Sequence, residues 1–333
     1  MSKLYKVQTR FLFHSNIKIK IPDKYEESLF DELFSVLEDV NKTYNSYSEN
    51  SFIDKINKNA GKFVKVNDET IEMLEKILYF SDMLEGEYDI TIMPLIKLWG
   101  FYKKNMISIP DKEKIEEIKK IVNYKEMYIN KINNEVKIGA GQEIITGSFI
   151  KSYAIDRLSE KMKEKGITDA VINAGGSSIL TINDNENRNL GIIVENPTPH
   201  KKIEKDQKGY PIKITDSDYE GNDEYNDLFD IEISNEAYST SNQMNTYIEI
   251  NGEKYGHIIS PKTGYPGKNK QIGIITEKAF DGDIISTGLF NQSPENFYKI
   301  MKQLSEKMKI EGYLVDNEGK IHYSEDFLNY VDF

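Results

Sequence analysis

Thr246-Tyr247-Ile248-Glu249-Ile250-Asn251-Gly252-Glu253-Lys254-Tyr255-Gly256-His257-Ile258-Ile259-Ser260 is the stretch that decides the fold class. Asn-Gly between two apolar segments signals a tight hairpin, because both turn positions need positive φ. The stretch therefore reads as antiparallel strands over 246–250 and 255–260. A further strand pattern follows at 271–277, and others precede it at 189–195 and 229–234. Strand patterns that run together, with helices in blocks, point to an α+β fold with a mainly antiparallel sheet rather than a doubly wound parallel one.

Upstream, residues 8–21 read as one strand, alternating through Ile17, Lys18, Ile19 and Lys20. Helical spacing appears over 26–41, where Leu29, Phe30, Leu33, Phe34, Leu37 and Val40 share a face. It appears again at 68–84, at 112–122, and from Ser148 to Lys165, where Gly166 stops it. Tyr128–Ile138 reads as a hairpin turning at Asn133-Asn134, and Ala170–Ile172 as a short strand entering Gly175-Gly176. Ser293-Pro294 opens a last helix, and a hairpin near Asn317-Glu318-Gly319 closes the chain. Residues 1–333 are expected to form a single domain. Within it, 201–227 reads as a surface loop or insertion, its second half acidic and almost free of aliphatic residues.

Composition narrows the function. A net charge of −12 disfavours nucleic-acid binding, which needs a basic face. The absence of cysteine removes disulfides, thiolate metal sites and a cysteine nucleophile. Four histidines (His14, His200, His257 and His322) are too few for a multi-histidine metal centre. No apolar run approaches the roughly 18 residues of a membrane span. The N-terminal residues carry recurring charge and no small-residue cleavage site, so a cytoplasmic location is expected.

Several positions could carry chemistry, each with a plainer alternative. Asp283 and Thr287 stand four residues apart, a hard oxygen pair of the kind Mg²⁺ takes beside phosphates, or else a helix N-cap and a back-bonding threonine. His257, ahead of the Ser260-Pro261-Lys262-Thr263-Gly264 turn, reads as a general base or as a histidine satisfying a carbonyl. Lys151, one turn into a helix after Thr146-Gly147-Ser148, could meet a phosphate or merely solvent. The Thr240 and Ser241 hydroxyls could reach a phosphate or ribose, or cap a turn. Asp156 reads as a salt-bridge or capping residue. Trp99 and its aromatic neighbours could line a pocket for a flat ring or pack a core.

Taken in order, these pieces resemble a known family. Tyr47 and Ser51 come first, then Gly86-Glu87-Tyr88-Asp89-Ile90-Thr91 and Trp99-Gly100-Phe101. Thr146-Gly147-Ser148-Phe149-Ile150-Lys151, Asn173-Ala174-Gly175-Gly176 and Thr240-Ser241 follow. His257-Ile258-Ile259-Ser260-Pro261 and Asp283-Ile284-Ile285-Ser286-Thr287 complete the series. It resembles the ApbE family, the FAD:protein FMN transferases.

The resemblance implies a T-fold-like core and a flavin cleft. It implies Mg²⁺-dependent transfer of FMN from FAD to a Thr or Ser of an acceptor protein, with release of AMP. By position, Asp283 and Thr287 match side-chain Mg²⁺ ligands, and Ser148 a backbone-carbonyl ligand. Tyr47, Glu87, Tyr88, Asp89, Lys151 and Ile259 match FAD contacts, and His257 the residue that activates the acceptor hydroxyl. The chain departs from the family pattern at Ile145, Ser152, Ser177, Asn242 and Ser260. Glu143-Ile144-Ile145-Thr146-Gly147-Ser148-Phe149 comes near the acceptor motif D/E-x-x-S/T-G-A-S/T but lacks its last hydroxyl, so a separate acceptor protein is expected. Two other readings remain: an Mg²⁺-dependent FAD pyrophosphatase giving FMN and AMP, and a flavin-binding protein without turnover.

Overall fold

The computed structural model describes residues 3–101, 108–184, 190–221, 227–243 and 246–332. Its centre is an eight-stranded sheet, whose strands are β1 (Tyr5–Leu12), β2 (Ser15–Pro22), β3 (Ala170–Ala174), β4 (Ser178–Ile182), β5 (Ala237–Asn242), β6 (Gln271–Thr276), β7 (Ile310–Val315) and β8 (Ile321–Tyr323). Spatial order follows chain order, and every neighbouring pair is antiparallel. The α+β reading is thereby confirmed. Between β2 and β3 the chain makes α1 (Leu29–Tyr44), α2 (Phe52–Lys58), α3 (Asp68–Met83), α4 (Met93–Leu98), α5 (Lys112–Lys119) and α6 (Ile150–Glu164). Between β6 and β7 it makes α7 (Ala279–Leu289) and α8 (Pro294–Ser305).

Both faces of the sheet are covered. Ile17, Ile19, Ile172, Ile272 and Ile274 meet α1, α6 and α7 in the main core through Phe30, Leu37, Leu158 and Ile285. Ile179, Tyr238, Ile275 and Tyr313 face the other way, against Ile192 and Val194 (strand Leu190–Val194), Ile231 and Ile233 (strand Phe229–Ile233) and Phe327. Successive strand residues point to opposite faces, so Ile274 and Ile275 enter different cores. This is why β4 and β6 are buried at every position.

Two expectations differ from the structure. Residues 8–21 form a hairpin rather than one strand. Its turn is Phe13-His14, both with positive φ (52° and 58°), and a two-residue turn opening on Phe is not announced by the usual Asn, Asp or Gly. The strand expected over 255–260 runs instead from Glu253 to Gly256, pairing with Tyr247–Ile250 around Asn251-Gly252. Within the segment 201–227, expected as a surface loop or insertion, Lys201–Lys205 and Pro211–Asp218 pair as an antiparallel hairpin that buries Ile214. The acidic composition masked this short alternation; residues 222–226 of that segment, and residue 189 of the strand pattern 189–195, lie outside the described residues. No helix among the described residues is long and apolar enough to cross a membrane.

Trp99 belongs to a small core with Leu95, Ile115 and Ile259 and is fully buried. Its indole N–H donates to the Gly264 carbonyl at 2.8 Å, and Tyr255 and Tyr265 flank it. Core packing is therefore its role, and it pins the turn that follows His257. Gly264 has φ of 76°, and a Cβ there would lie 2.3 Å from the Ile115 side chain. Gly264→Ala should therefore cost about 2 kcal/mol, combining left-handed strain with overlap, and lower the urea midpoint accordingly. An unchanged midpoint would show that the turn is not clamped.

Candidate functional site

α6 begins where the Thr146-Gly147-Ser148 loop is fastened to the end of α1. The Thr146 hydroxyl donates to Asn45 Oδ1 at 3.0 Å, and its carbonyl accepts from Phe149 N and Ile150 N. Ser148 and Lys151 then project into a cleft of about 520 Å³. Lys151 Nζ donates to Ser177 Oγ at 2.8 Å, reaching the turn between β3 and β4. In that turn Gly175 has φ of 68°, and a Cβ on it would overlap Ser15 Oγ at 1.9 Å. The tip of the first hairpin, with His14 and Ser15, thus closes one side of the cleft.

α7 supplies the floor. It starts at Ala279, so Asp283 lies in its second turn and the N-cap reading fails. Asp283 and Thr287, one turn apart, both line the cleft. Both carboxylate oxygens of Asp283 accept from Ser178 Oγ, at 2.9 and 3.0 Å. Burial pushes this carboxyl above its ordinary range, against the Lys151 charge and the hydroxyls of Ser152, Ser178 and Ser239.

His257 stands on the opposite wall, just beyond the hairpin. Its Nδ1 is 3.1 Å from the Thr246 carbonyl. A carbonyl can only accept, so Nδ1 carries the proton and Nε2 of the neutral ring keeps a basic lone pair. The residue is solvent-exposed, yet many protein atoms surround its ring. That crowding lowers its pKa from 6.5, as does Lys151, against the Thr246 hydrogen bond.

The remaining sequence-expected residues divide into two groups. Glu87, Tyr88, Asp89 and Ile259 line the cleft, whereas Tyr47 stands outside the lining, edge-to-face with His14 at 6.3 Å. Glu87 Oε2 is buried with no hydrogen-bond partner among the described residues. Burial raises its pKa against Ser260 and Lys262. An orphaned buried acceptor suits a ligand donor. The Tyr88 hydroxyl lies 3.0 Å from Ser148 Oγ. Asp89 is committed to the fold: Oδ1 accepts from Thr91 N and Oγ1, and Oδ2 from Tyr124 N. Thr240 and Ser241 also line the cleft, but Thr240 Oγ1 donates to the Ile272 carbonyl and Ser241 Oγ lies 3.0 Å from Ser286 Oγ. Ile92, in the stretch expected to line a pocket, does line the cleft, whereas His14, Ser178 and Ile96 are not singled out by the sequence. A larger depression of about 830 Å³, between α8 and the C-terminal segment, lies away from these groups.

Among the described residues, no three His, Cys, Asp or Glu side chains cluster for a metal. A cation here could take one carboxylate (Asp283), one hydroxyl (Thr287) and ligand oxygens, with Ser148 lining the same cleft. That donor set fits Mg²⁺, which keeps waters and phosphates in its shell, better than Zn²⁺.

The ApbE family model matches residues 13–313, nearly the whole chain. The chain belongs to the ApbE family. A relative from Haemophilus influenzae, named FAD:protein FMN transferase, is 21% identical over 297 residues, covering 87% of this chain and 78% of its own. One of the same name from Buchnera aphidicola is 25% identical over 254 residues, covering 74% and 68%. The solved ApbE protein of Thermotoga maritima superposes with a TM-score of 0.82 at 22% identity, covering 99% of this chain and all of its own. The flavin transferase ApbE of Vibrio cholerae gives 0.77 at 18% identity, covering 99% of each chain. These structures establish the ApbE fold for the chain.

In this ApbE chain the His257 imidazole should titrate below 6.5, because burial and Lys151 both oppose its charging. Ring-proton NMR measures this directly, and a midpoint above 6.5 would overturn the description of its surroundings.

Proposed function

We propose that the chain is an Mg²⁺-dependent FAD:protein FMN transferase, moving FMN from FAD to a Thr or Ser hydroxyl of an acceptor protein and releasing AMP. The observation that carries this reading is one cleft shared by a basic imidazole, a lysine and a carboxylate–hydroxyl edge. The names of the relatives support it.

The reaction needs positioning and charge neutralisation more than covalent help from the protein. Ile92, Ile96, Ile145 and Ile259 offer an apolar wall to a ring system, and Glu87 Oε2 an acceptor to a ligand N–H or O–H. Lys151 places a positive charge toward the pyrophosphate. His257 Nε2 receives the proton as the acceptor oxygen bonds to the FMN phosphorus, and the phosphorus–oxygen bond to AMP breaks. Mg²⁺, when bound by Asp283, Thr287 and the Ser148 carbonyl, supplies further neutralisation of the pyrophosphate.

The test is incubation with FAD, Mg²⁺ and a protein displaying the D/E-x-x-S/T-G-A-S/T motif. An FMN mass addition on the acceptor and one AMP per adduct are expected. Free FMN and AMP without adduct would make the protein a pyrophosphatase, and intact bound FAD would make it non-catalytic. His257→Gln should slow transfer about 10²- to 10⁴-fold while leaving FAD affinity nearly unchanged. In the parent protein the rate should rise with pH to a plateau, with its midpoint below 6.5, since the base works only when neutral and its pKa is lowered. Asp283→Ala should abolish the response of the rate to Mg²⁺; a retained response would refute its role as a ligand.

A further inference from the structure

α7 is capped from another helix. Its own N-cap residue, Lys278, makes no side-chain cap. The first N–H groups meet Asp156 of α6 instead: Oδ1 accepts from Ala279 N and Oδ2 from Phe280 N, both at 2.9 Å. Asp156 is only 6% exposed. Burial pushes its carboxyl up to about 7, against the two backbone hydrogen bonds that favour the charged form. The flanking charges are engaged with other partners, Lys278 with Glu160 at 2.8 Å and Lys76 with Asp281 at 2.6 Å. Among the described residues Asp156 is thus a buried acid without a salt bridge, directed at a helix start.

The placement of this bond matters more than its strength. α6 brings Lys151 to the cleft, with Ser148 just before its first residue. α7 brings Asp283 and Thr287, four and eight residues beyond the capped Ala279. The two halves of the proposed cation site therefore stand on two helices that Asp156 fastens together. Against the sheet, α7 is fixed by Gly282, where a Cβ would lie 2.7 Å from Ser239 Oγ and 2.9 Å from Thr276 Oγ1. That contact sets its distance from the strands, and the bonds of Asp283 to Ser178 and of Ser286 to Ser241 hold its middle and end against them. A slip of one residue moves each side chain about 1.5 Å. The bond from Asp156 to its first two N–H groups fixes its start against α6, the helix that carries Lys151.

We propose that Asp156 is a positioning residue that sets where Asp283 and Thr287 stand relative to Ser148 and Lys151, and so tunes cation affinity without touching the cation. The inference rests on the Mg²⁺ site proposed above. Its test is titration of MgCl₂ into the FAD-saturated protein, reading the rise in thermal midpoint for the parent, Asp156→Asn and Asp156→Ala, with circular dichroism to confirm folding. The alanine variant should need about 10-fold more Mg²⁺ for half of the rise, the low end of what loss of an outer-shell partner costs, because Asp156 holds the backbone of α7 and not a ligand side chain. Asparagine keeps one acceptor oxygen and should shift the titration severalfold. A midpoint lowered equally at all Mg²⁺ concentrations, with half-saturation unchanged, would mean that Asp156 only stabilises the fold and would overturn the proposal. If the alanine variant does not fold, the asparagine variant decides, and half-saturation within twofold of the parent overturns it. No Mg²⁺ response in the parent would sink the cation site itself, an outcome distinct from an equal response in all three.

Discussion

The burial of α7 is the constraint on which the rest of the site depends. Ten of its eleven residues are buried, with Thr287 the exception. A helix so enclosed must satisfy every polar group within the protein, because an unpaired buried group costs about 1–3 kcal/mol. Its N–H groups find Asp156, Asp281 finds Lys76, Ser286 finds Ser241, and Asp283 finds Ser178. Each partner comes from a different element: α6, α3, β5 and β4. The helix that carries the proposed metal ligands is therefore held from several sides, which suits a site needing fixed donors.

Local chemistry made much of the fold legible. Asn251-Gly252 signalled its hairpin because both positions take positive φ, 55° and 81°. The spacing of Phe30, Leu33, Phe34 and Leu37 marked the buried face of α1. The first hairpin escaped because Phe13 and His14 adopt the same conformation without the usual Asn, Asp or Gly. Packing of the flanking strands overrides local preference there. The length of the strand after Asn251-Gly252 was misjudged for a related reason. Ile258 and Ile259 are apolar because they are buried, not because they extend a ladder.

The site was legible as an ordered series of motifs, and most of its members do face one cleft. What sequence could not show was the supporting contacts. Ser178 and Asp283 are 105 residues apart, and Asp156 and Ala279 are 123 apart. Nothing local distinguishes Ser178 from any other strand serine. Nor could sequence show that Asp89 turns inward to fasten Thr91 and Tyr124, although its neighbour Glu87 keeps an oxygen with no hydrogen-bond partner among the described residues. Asp156 was read as a capping or salt-bridge residue, and its capping role is what the structure displays, though on a helix remote in sequence.

Strand order that follows chain order does not make this a quickly closing fold. The pairing of β2 with β3 spans all six helices from α1 to α6, and α7 arrives only after β6. During synthesis the earlier strands and α6 leave the ribosome before the helix that completes their core. Ile172, Ile272 and Ile285 share one cluster, so that core stays open until then. Such long-range contacts slow folding and expose apolar strands meanwhile. The cleft that α7 floors is consequently completed only once the chain beyond β6 has joined the sheet.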